Sequence, residues 1–321
     1  MDIYKIYKYV VLLSPRLEVF FRKLYWKNIS KISKIMSKQN TNQHNLDSID
    51  FAKIIDYLGN RGINKGGILI VHSSDNILKR TGESPKIIIN KLLDLIGPEG
   101  TLAMPVFRKF KGEHTPKDDF SKSLIDKEFI YNLHRTPIWT GLLPRELMVF
   151  KNVKISRFPI NPLASVGKLS GPMMENNLKG DVLLPHGINS SWKFCVDNDA
   201  NIIGLGIDLV HSLTIVHTIE DCQYPNWPIN NWYNNKIFNI VDLNFEKRLE
   251  VFERKAIWGM YYDAELNLRK DLIRNNILFT KLIEEVPIEI VNAKSLYTFL
   301  QVMNKKNPGY PYYVPKKFLR S

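Results

Sequence analysis

Residues 66–107 read GGILIVHSSDNILKRTGESPKIIINKLLDLIGPEGTLAMPVF, and no other part of the chain limits the fold as much. The apolar run ILIV is a short strand that ends in polar His72, Ser73 and Ser74. Ser84 suits a helix N-cap, Pro85 the first helical position, and Gly97-Pro98 a stop, so a helix is predicted between them. TLAMPVF reads as a second buried strand. Strand, loop, helix, turn and strand in close succession form the βαβ pattern, a parallel strand pair with a right-handed crossover. The expectation is an α/β fold with a mainly parallel central sheet, helices on both faces and antiparallel additions. Ligands of such sheets gather at the carboxyl ends of the strands, where His72, Ser73 and Ser74 fall.

A second strand, NIIGLGID (201–208), leads into HSLTIVHTIEDC (211–222). Residues three or four apart share one face of a helix, so Thr214, His217 and Glu220 or Asp221 are predicted to form a polar edge just past a buried strand. A solvated surface helix would show the same spacing. Upstream, DSIDFAKIIDYLGNRGI has the apolar spacing of an amphipathic helix ending near Gly59. The middle, 108–200, is rich in turn residues and reads as loops and short elements around a site. FNIVDLNFEKRLEVFERKAIW alternates like an antiparallel hairpin, and LRKDLIRNNILFTKLIEEVPIEIVNAKSLYTFLQVMNKK reads as helices.

The chain has a formal charge of +13, of which residues 1–38 carry +7 through nine Lys and Arg against Asp2 and Glu18. A basic surface attracts anions, but no nucleic-acid-reading signature accompanies it, so no nucleic acid partner is expected. Residues 1–45 are predicted to form a basic helical arm and linker, with SKQNTNQHN (37–45) as the linker, and residues 46–321 the main domain. The favoured reading of residues 1–38 is a helical extension packed over the body or a partner subunit. Peripheral contact with an anionic membrane is the other reading. Homo-oligomerisation is compatible with either. No run of apolar residues is long enough to span a bilayer, no signal peptide is apparent, and Cys195 and Cys222 sit in no zinc-type cluster. The expected setting is therefore the cytoplasm, at most the inner face of the membrane, with no metal.

The stretch VHSSDNILKRTGESPKIIINKLLDLIGPEGTLAMPVF resembles the opening of the aminoglycoside 3-N-acetyltransferase family, which carries a Val-His-Ser-Ser run, a glycine-containing loop, a helix, GPEGTL and a strand ending in Met-Pro. TPIWTGLLPREL (136–147) and NIIGLGIDLVHSLTIVHTIED (201–221) are similar to two later family blocks, the last being Thr-x-x-His-x-x-Glu. The similarity runs from about residue 50 to 300. It implies that family's α/β fold and an acyl-coenzyme A-dependent N-acyltransferase. Two departures fall near the acceptor side. Asn161 and Ala164 stand where the family has two histidines in the run written here NPLASV, and Leu213 replaces an asparagine before the threonine.

The resemblance also implies roles. Attack on a thioester needs a neutral amine, and histidine is the side chain that takes up a proton near neutral pH. His217 is the expected base, Glu220 its orienting partner, and Thr214 an expected oxyanion donor. The other reading of His217 is a hydrogen-bonded structural histidine. His72, Ser73, Ser74, Ser165 and Val166 are expected to hold coenzyme A, although Ser73-Ser74 could simply end a strand. Asn161, Asp221, Tyr224 and Trp227 are expected at the acceptor. An acyl-Cys222 route is set aside because five residues on a helix point side chains apart. Since polycationic aminoglycosides call for a carboxylate-lined cleft and this chain is basic, a nucleotide-linked amino sugar of surface-polysaccharide synthesis is the first expected acceptor. It would receive an acetyl or hydroxyacyl group. An aminoglycoside is the alternative, and a non-catalytic membrane-surface scaffold the reading from another class.

Overall fold

The computed structural model describes residues 3–29, 48–63, 65–110 and 128–320. The predicted linker at 37–45 lies outside them. Two sheets organise the chain. The larger has seven strands: β1 (Ile68–Ser73), β2 (Thr101–Pro105), β4 (Lys154–Ile155), β5 (Leu163–Gly167), β6 (Asn201–Leu205), β9 (Leu278–Ile283) and β10 (Val286–Asn292), in the order β4-β5-β2-β1-β6-β10-β9. The smaller joins β3 (Glu128–Asn132), β7 (Tyr233–Asp242) and β8 (Phe245–Arg254).

The α/β class is as expected, but the large sheet is mixed rather than mainly parallel. Only β1–β2 and β1–β6 run parallel; β2–β5, β4–β5, β6–β10 and β9–β10 are antiparallel. The βαβ unit thus supplies the centre, and hairpins or returning strands supply both flanks. One flank corrects the sequence reading directly, because ILFTKLIEEVPIEIVN is the β9–β10 hairpin and not helix. Its turn residues Glu284 and Glu285 have φ of 46° and 64°, the left-handed pair that a two-residue hairpin turn requires.

The expected helices form where the capping residues put them. α1 (Ile3–Val11) and α2 (Pro15–Lys27) make up the arm, and α3 (Phe51–Asn60) starts at Asp50, whose carboxylate accepts from the Ala52 N–H. α4 (Asp75–Thr81) occupies the loop after β1, and α5 (Pro85–Ile96) is the crossover helix, with Ser84 as its cap. Short helices follow: α6 (Leu142–Leu147), α7 (Ser170–Glu175), α8 (Ser191–Asp197), α9 (Thr218–Asp221) and α10 (Ala256–Tyr261). α11 (Glu265–Arg274) and α12 (Ala293–Lys306) are longer. FNIVDLNFEKRLEVFERKAIW holds the expected antiparallel hairpin, β7–β8.

Side chains of β1 alternate between two apolar layers, since successive residues of a strand face opposite sides. Ile68 and Ile70 join Trp192, Leu268 and Leu300 in one core, whereas Leu69 and Val71 join Ile54, Ile88 and Leu92 in the other. Helices therefore cover both faces, which is why the central strands are apolar throughout. The small sheet has its own core around Phe129, Tyr131, Phe238 and Val251. The arm lies on the body: Arg22 donates from Nε to the Gly259 and Met260 carbonyls (2.8 and 2.9 Å) and forms a two-pronged pair with Glu265 (2.9 and 3.0 Å).

Candidate active site

Pairing of β1 with β6 sets His72 against Gly204 and Ser73 against Leu205. Two stretches more than a hundred residues apart in the chain thus end side by side on one sheet edge. Gly206 turns the chain there with φ of 68°, and a side chain at that position would come within 2.8 Å of Ser74 Oγ. Glycine is required on both counts. The chain then runs through Asp208, which caps a short turn, into a 3-10 turn at Thr214–His217 and the single-turn α9. The predicted polar edge exists, but on tight turns rather than on one regular helix.

His217 Nδ1 lies 2.9 Å from Glu220 Oε1, with the histidine ring four-fifths buried and the carboxylate 1 % exposed. Tyr312 donates its hydroxyl to the same Glu220 oxygen at 2.5 Å, and Arg254 donates in turn to the Tyr312 oxygen. Burial pushes Glu220 up to about 8, against the opposing pull of Arg254 and Tyr312. Burial also pushes His217 well below its ordinary value, and the positive charge of Arg254 and the neighbouring His186 add to this. Both directions follow from removing charge from water.

A second histidine–carboxylate pair stands beside the first. The His186 ring is 5.4 Å from that of His217, its Nδ1 is 3.1 Å from Asp221 Oδ2, and its Nε2 is 3.2 Å from Asn161 Nδ2. Asn161 and Asp221 are brought together in this way, although Asp221 is occupied by His186 and by the Tyr233 hydroxyl at 3.1 Å. Tyr224 and Asp221 line a small separate pocket of about 170 Å³ that neither Thr214 nor His217 lines. Trp227 is 1 % exposed and packs 5.4 Å from Trp232. It belongs to the core, and its expected place at the acceptor is corrected.

Two clefts meet at the turn before His217. The first, about 380 Å³, is lined by His72, Ser73, Asp75, Trp139, Thr140 and Thr214 among others. Among the described residues, buried His72 Nε2 and Thr140 Oγ1 have no hydrogen-bond partner, an arrangement that costs stability unless a ligand or water satisfies it. Burial lowers His72 to about 4, so the ring is neutral. Ser74 is not in this lining; its backbone N–H donates to the Leu205 carbonyl at 3.0 Å and ties the loop to β6. Ser165 and Val166 do not reach the cleft either. They sit on β5, where Ser165 is fully buried, and their expected contact with a cofactor is corrected. The second cleft, about 370 Å³, is lined by His217, Thr214, Arg254 and Asp263, and from the arm by Arg22 and Trp26. His211, Ser212 and Thr214 line both.

The two carboxylates of the second cleft differ, since Glu265 is committed to Arg22 and His211 whereas buried Asp263 Oδ1 has no partner among the described residues. Burial raises Glu265, but His211 at 2.8 Å and Arg22 more than reverse this and hold it near 2. Asp263 is buried, and burial followed by the nearby Glu265 charge pushes its acid form upward. His211 gains from Glu265 and is raised. Sequence spacing could not have found His186, Arg254, Tyr312 or the arm residues. They arrive from distant segments with no local pattern linking them to His217. Burial pushes the Cys222 thiol up to about 12, which disfavours its thiolate.

The family model for aminoglycoside 3-N-acetyltransferase matches residues 70–304. No curated protein sequence matches the chain. Among solved structures, AAC-IIIb in binary complex with CoASH is 16 % identical, with 83 % of this chain and 100 % of that chain covered and a TM-score of 0.64. The aminoglycoside acetyltransferase AAC(3)-IVa apoenzyme is 18 % identical over 86 % and 95 %, TM-score 0.63. AAC-VIa bound to sisomicin is 11 % identical over 81 % and 98 %, TM-score 0.62. These likenesses extend to the fold.

Proposed function

The chain belongs to the aminoglycoside 3-N-acetyltransferase family, a family of acyl-coenzyme A-dependent N-acyltransferases, and we propose that it passes an acyl group directly to a primary amine of an amino sugar with His217 as general base. One observation carries this reading. The cleft at the end of β1 and the cleft holding His217 share Thr214, so a thioester in the first and an amine in the second would meet beside a histidine–glutamate pair.

In this reading His217 Nε2 takes a proton from the attacking amine while Nδ1–H points to Glu220, which stabilises the imidazolium as it forms. The new C–N bond forms, the carbonyl electrons move to oxygen, and their return breaks the C–S bond and releases the thiol with a proton. The Thr214 hydroxyl donates to the Ser212 carbonyl at a long 3.4 Å and can turn its proton to the oxyanion instead. A fixed donor of that kind contributes about 3–4 kcal/mol. The unpartnered His72 Nε2 and Thr140 Oγ1 suit the amide groups of the pantetheine arm of coenzyme A, as does AAC-IIIb's complex with CoASH. Direct transfer fits the high Cys222 thiol better than an acyl-cysteine.

For the acceptor, the family description and the sisomicin complex of AAC-VIa favour an aminoglycoside, the alternative in the sequence reading, over the nucleotide-linked sugar placed first. The charge of the second cleft is the observation on the other side. Arg22 and Arg254 line it, Glu265 is taken by Arg22 and His211, and Asp263 is pushed toward its acid form, which suits an anionic or neutral acceptor better than a polycation. Thiol release from acetyl- and hydroxybutyryl-coenzyme A, assayed against aminoglycosides and nucleotide-linked amino sugars, separates the two. Turnover with aminoglycosides alone would remove the nucleotide-sugar reading, turnover with nucleotide sugars alone the other, and none with either panel would overturn the proposed acceptor class.

A further inference from the structure

Helix α2 has two unlike faces. Glu18, Val19, Arg22 and Trp26 turn toward the body. The buried Glu18 carboxylate accepts from the Leu266 and Asn267 N–H groups (2.7 and 2.9 Å) and from Asn267 Nδ2 (2.7 Å), while Arg22 clasps Glu265 and two carbonyls. The polar bonds of the helix are thus made inward. The opposite face presents Leu13 just before the helix and then Leu17, Phe20 and Leu24, spaced four, three and four residues apart on one line. They are 64, 37, 55 and 42 % exposed. Arg16 and Lys27, both exposed, run along the edge of that line, while the Lys23 ammonium turns back over the Tyr262 ring at 4.1 Å. A helix at an ordinary surface has the reverse arrangement, apolar stripe inward and polar face outward.

The charge of the arm decides what could cover this stripe. Residues 3–29 contain six Lys and Arg and a single acid, Glu18, which is buried in its bonds to α11. Two copies packed stripe to stripe would bring like charges together in the low dielectric of an interface. An anionic lipid surface supplies the opposite charge beside the basic edge and hydrocarbon beneath the stripe. At 13 residues α2 is too short to cross a bilayer, and among the described residues no helix is long and apolar enough to do so. We propose that α2 is an interfacial helix that seats this protein on anionic lipid through Leu13, Leu17, Phe20 and Leu24, flanked by Arg16 and Lys27. Arg22 and Trp26, on the inward face, wall the cleft of His217, so the helix that meets the lipid also borders that cleft.

The test is co-sedimentation of the full chain with vesicles of phosphatidylglycerol and phosphatidylethanolamine, against phosphatidylcholine alone. Binding to the anionic vesicles, weakened by salt, is expected. The double variant Leu17→Glu/Phe20→Glu should reduce it at least about tenfold, the loss expected when two apolar side chains no longer bury. Both residues are exposed, so thermal melting should be unchanged. Should that variant melt without a cooperative transition, Arg16→Glu/Lys27→Glu removes the charge contribution alone and should abolish the preference for anionic lipid. Failure of the wild type to sediment with anionic vesicles would overturn the inference, as would binding that neither variant weakens. A concentration-dependent dimer that Leu17→Glu/Phe20→Glu dissolves, without vesicle binding, would overturn it in favour of a second copy.

Discussion

At the scale of single residues, the chemistry turns on one shared proton. With Glu220 pushed up to about 8 and His217 pushed down, the pair holds an extra proton below that value and loses it above. Only the deprotonated pair has Nδ1–H directed to a carboxylate and a free lone pair on Nε2. Activity should therefore rise as pH passes through about 8 and level off beyond it, and the inflection belongs to the pair rather than to either residue. Tyr312→Phe removes a donor that lowers Glu220, so it should move the rising limb of kcat/KM to higher pH. A limb set by the acceptor amine would stay where it was. The partner choice around His217 was only half legible in the sequence. Thr214, His217 and Glu220 are neighbours on the chain, so spacing alone grouped them. Arg254, Tyr312 and His186 bear on the same proton from residues 37, 95 and 31 positions away, and nothing local marks them.

At the scale of elements, sequence patterns worked where a segment makes its own structure. The cap at Ser84, the stop at Gly97 and the apolar runs of β1 and β2 specify the crossover unit without help from the rest of the chain. The β9–β10 hairpin was read as helix because LFTKLIEEVPIEIVN has apolar residues that fit either period, and only its pairing with β6 decides between them. Aromatic residues near the site misled in the same way. Trp227 was expected at the acceptor, yet it fills the core against Trp232 and Tyr312. The arm gives an element-scale prediction. Arg22→Ala would leave two backbone carbonyls without their donor and Glu265 with His211 alone. The expected loss is about 2–3 kcal/mol in urea unfolding, the scale of a largely buried charged hydrogen bond. Unchanged stability would mean that α2 rests on the body without being held by it.

For the whole molecule, the mixed sheet is what makes a site out of separated motifs. Parallel pairing of β1 with β6 aligns two carboxyl ends, and the antiparallel flanks close the layers around them without reaching the clefts. The C-terminal segment then brings buried Tyr312 to Glu220, and the arm adds Arg22 and Trp26 from the other terminus. The two clefts thus meet at Thr214, with His217 lining the second, and the proposed transfer depends on base catalysis by His217. The most direct measurement is thiol release from acetyl-coenzyme A with an accepted amine, wild type against His217→Ala. A fall in kcat of about 10²–10⁴ is expected, the usual contribution of a positioned general base, with KM for acetyl-coenzyme A little changed and the rise through about pH 8 abolished. A variant that kept the wild-type kcat and the same pH profile would show that His217 is structural and that the proton leaves by another route.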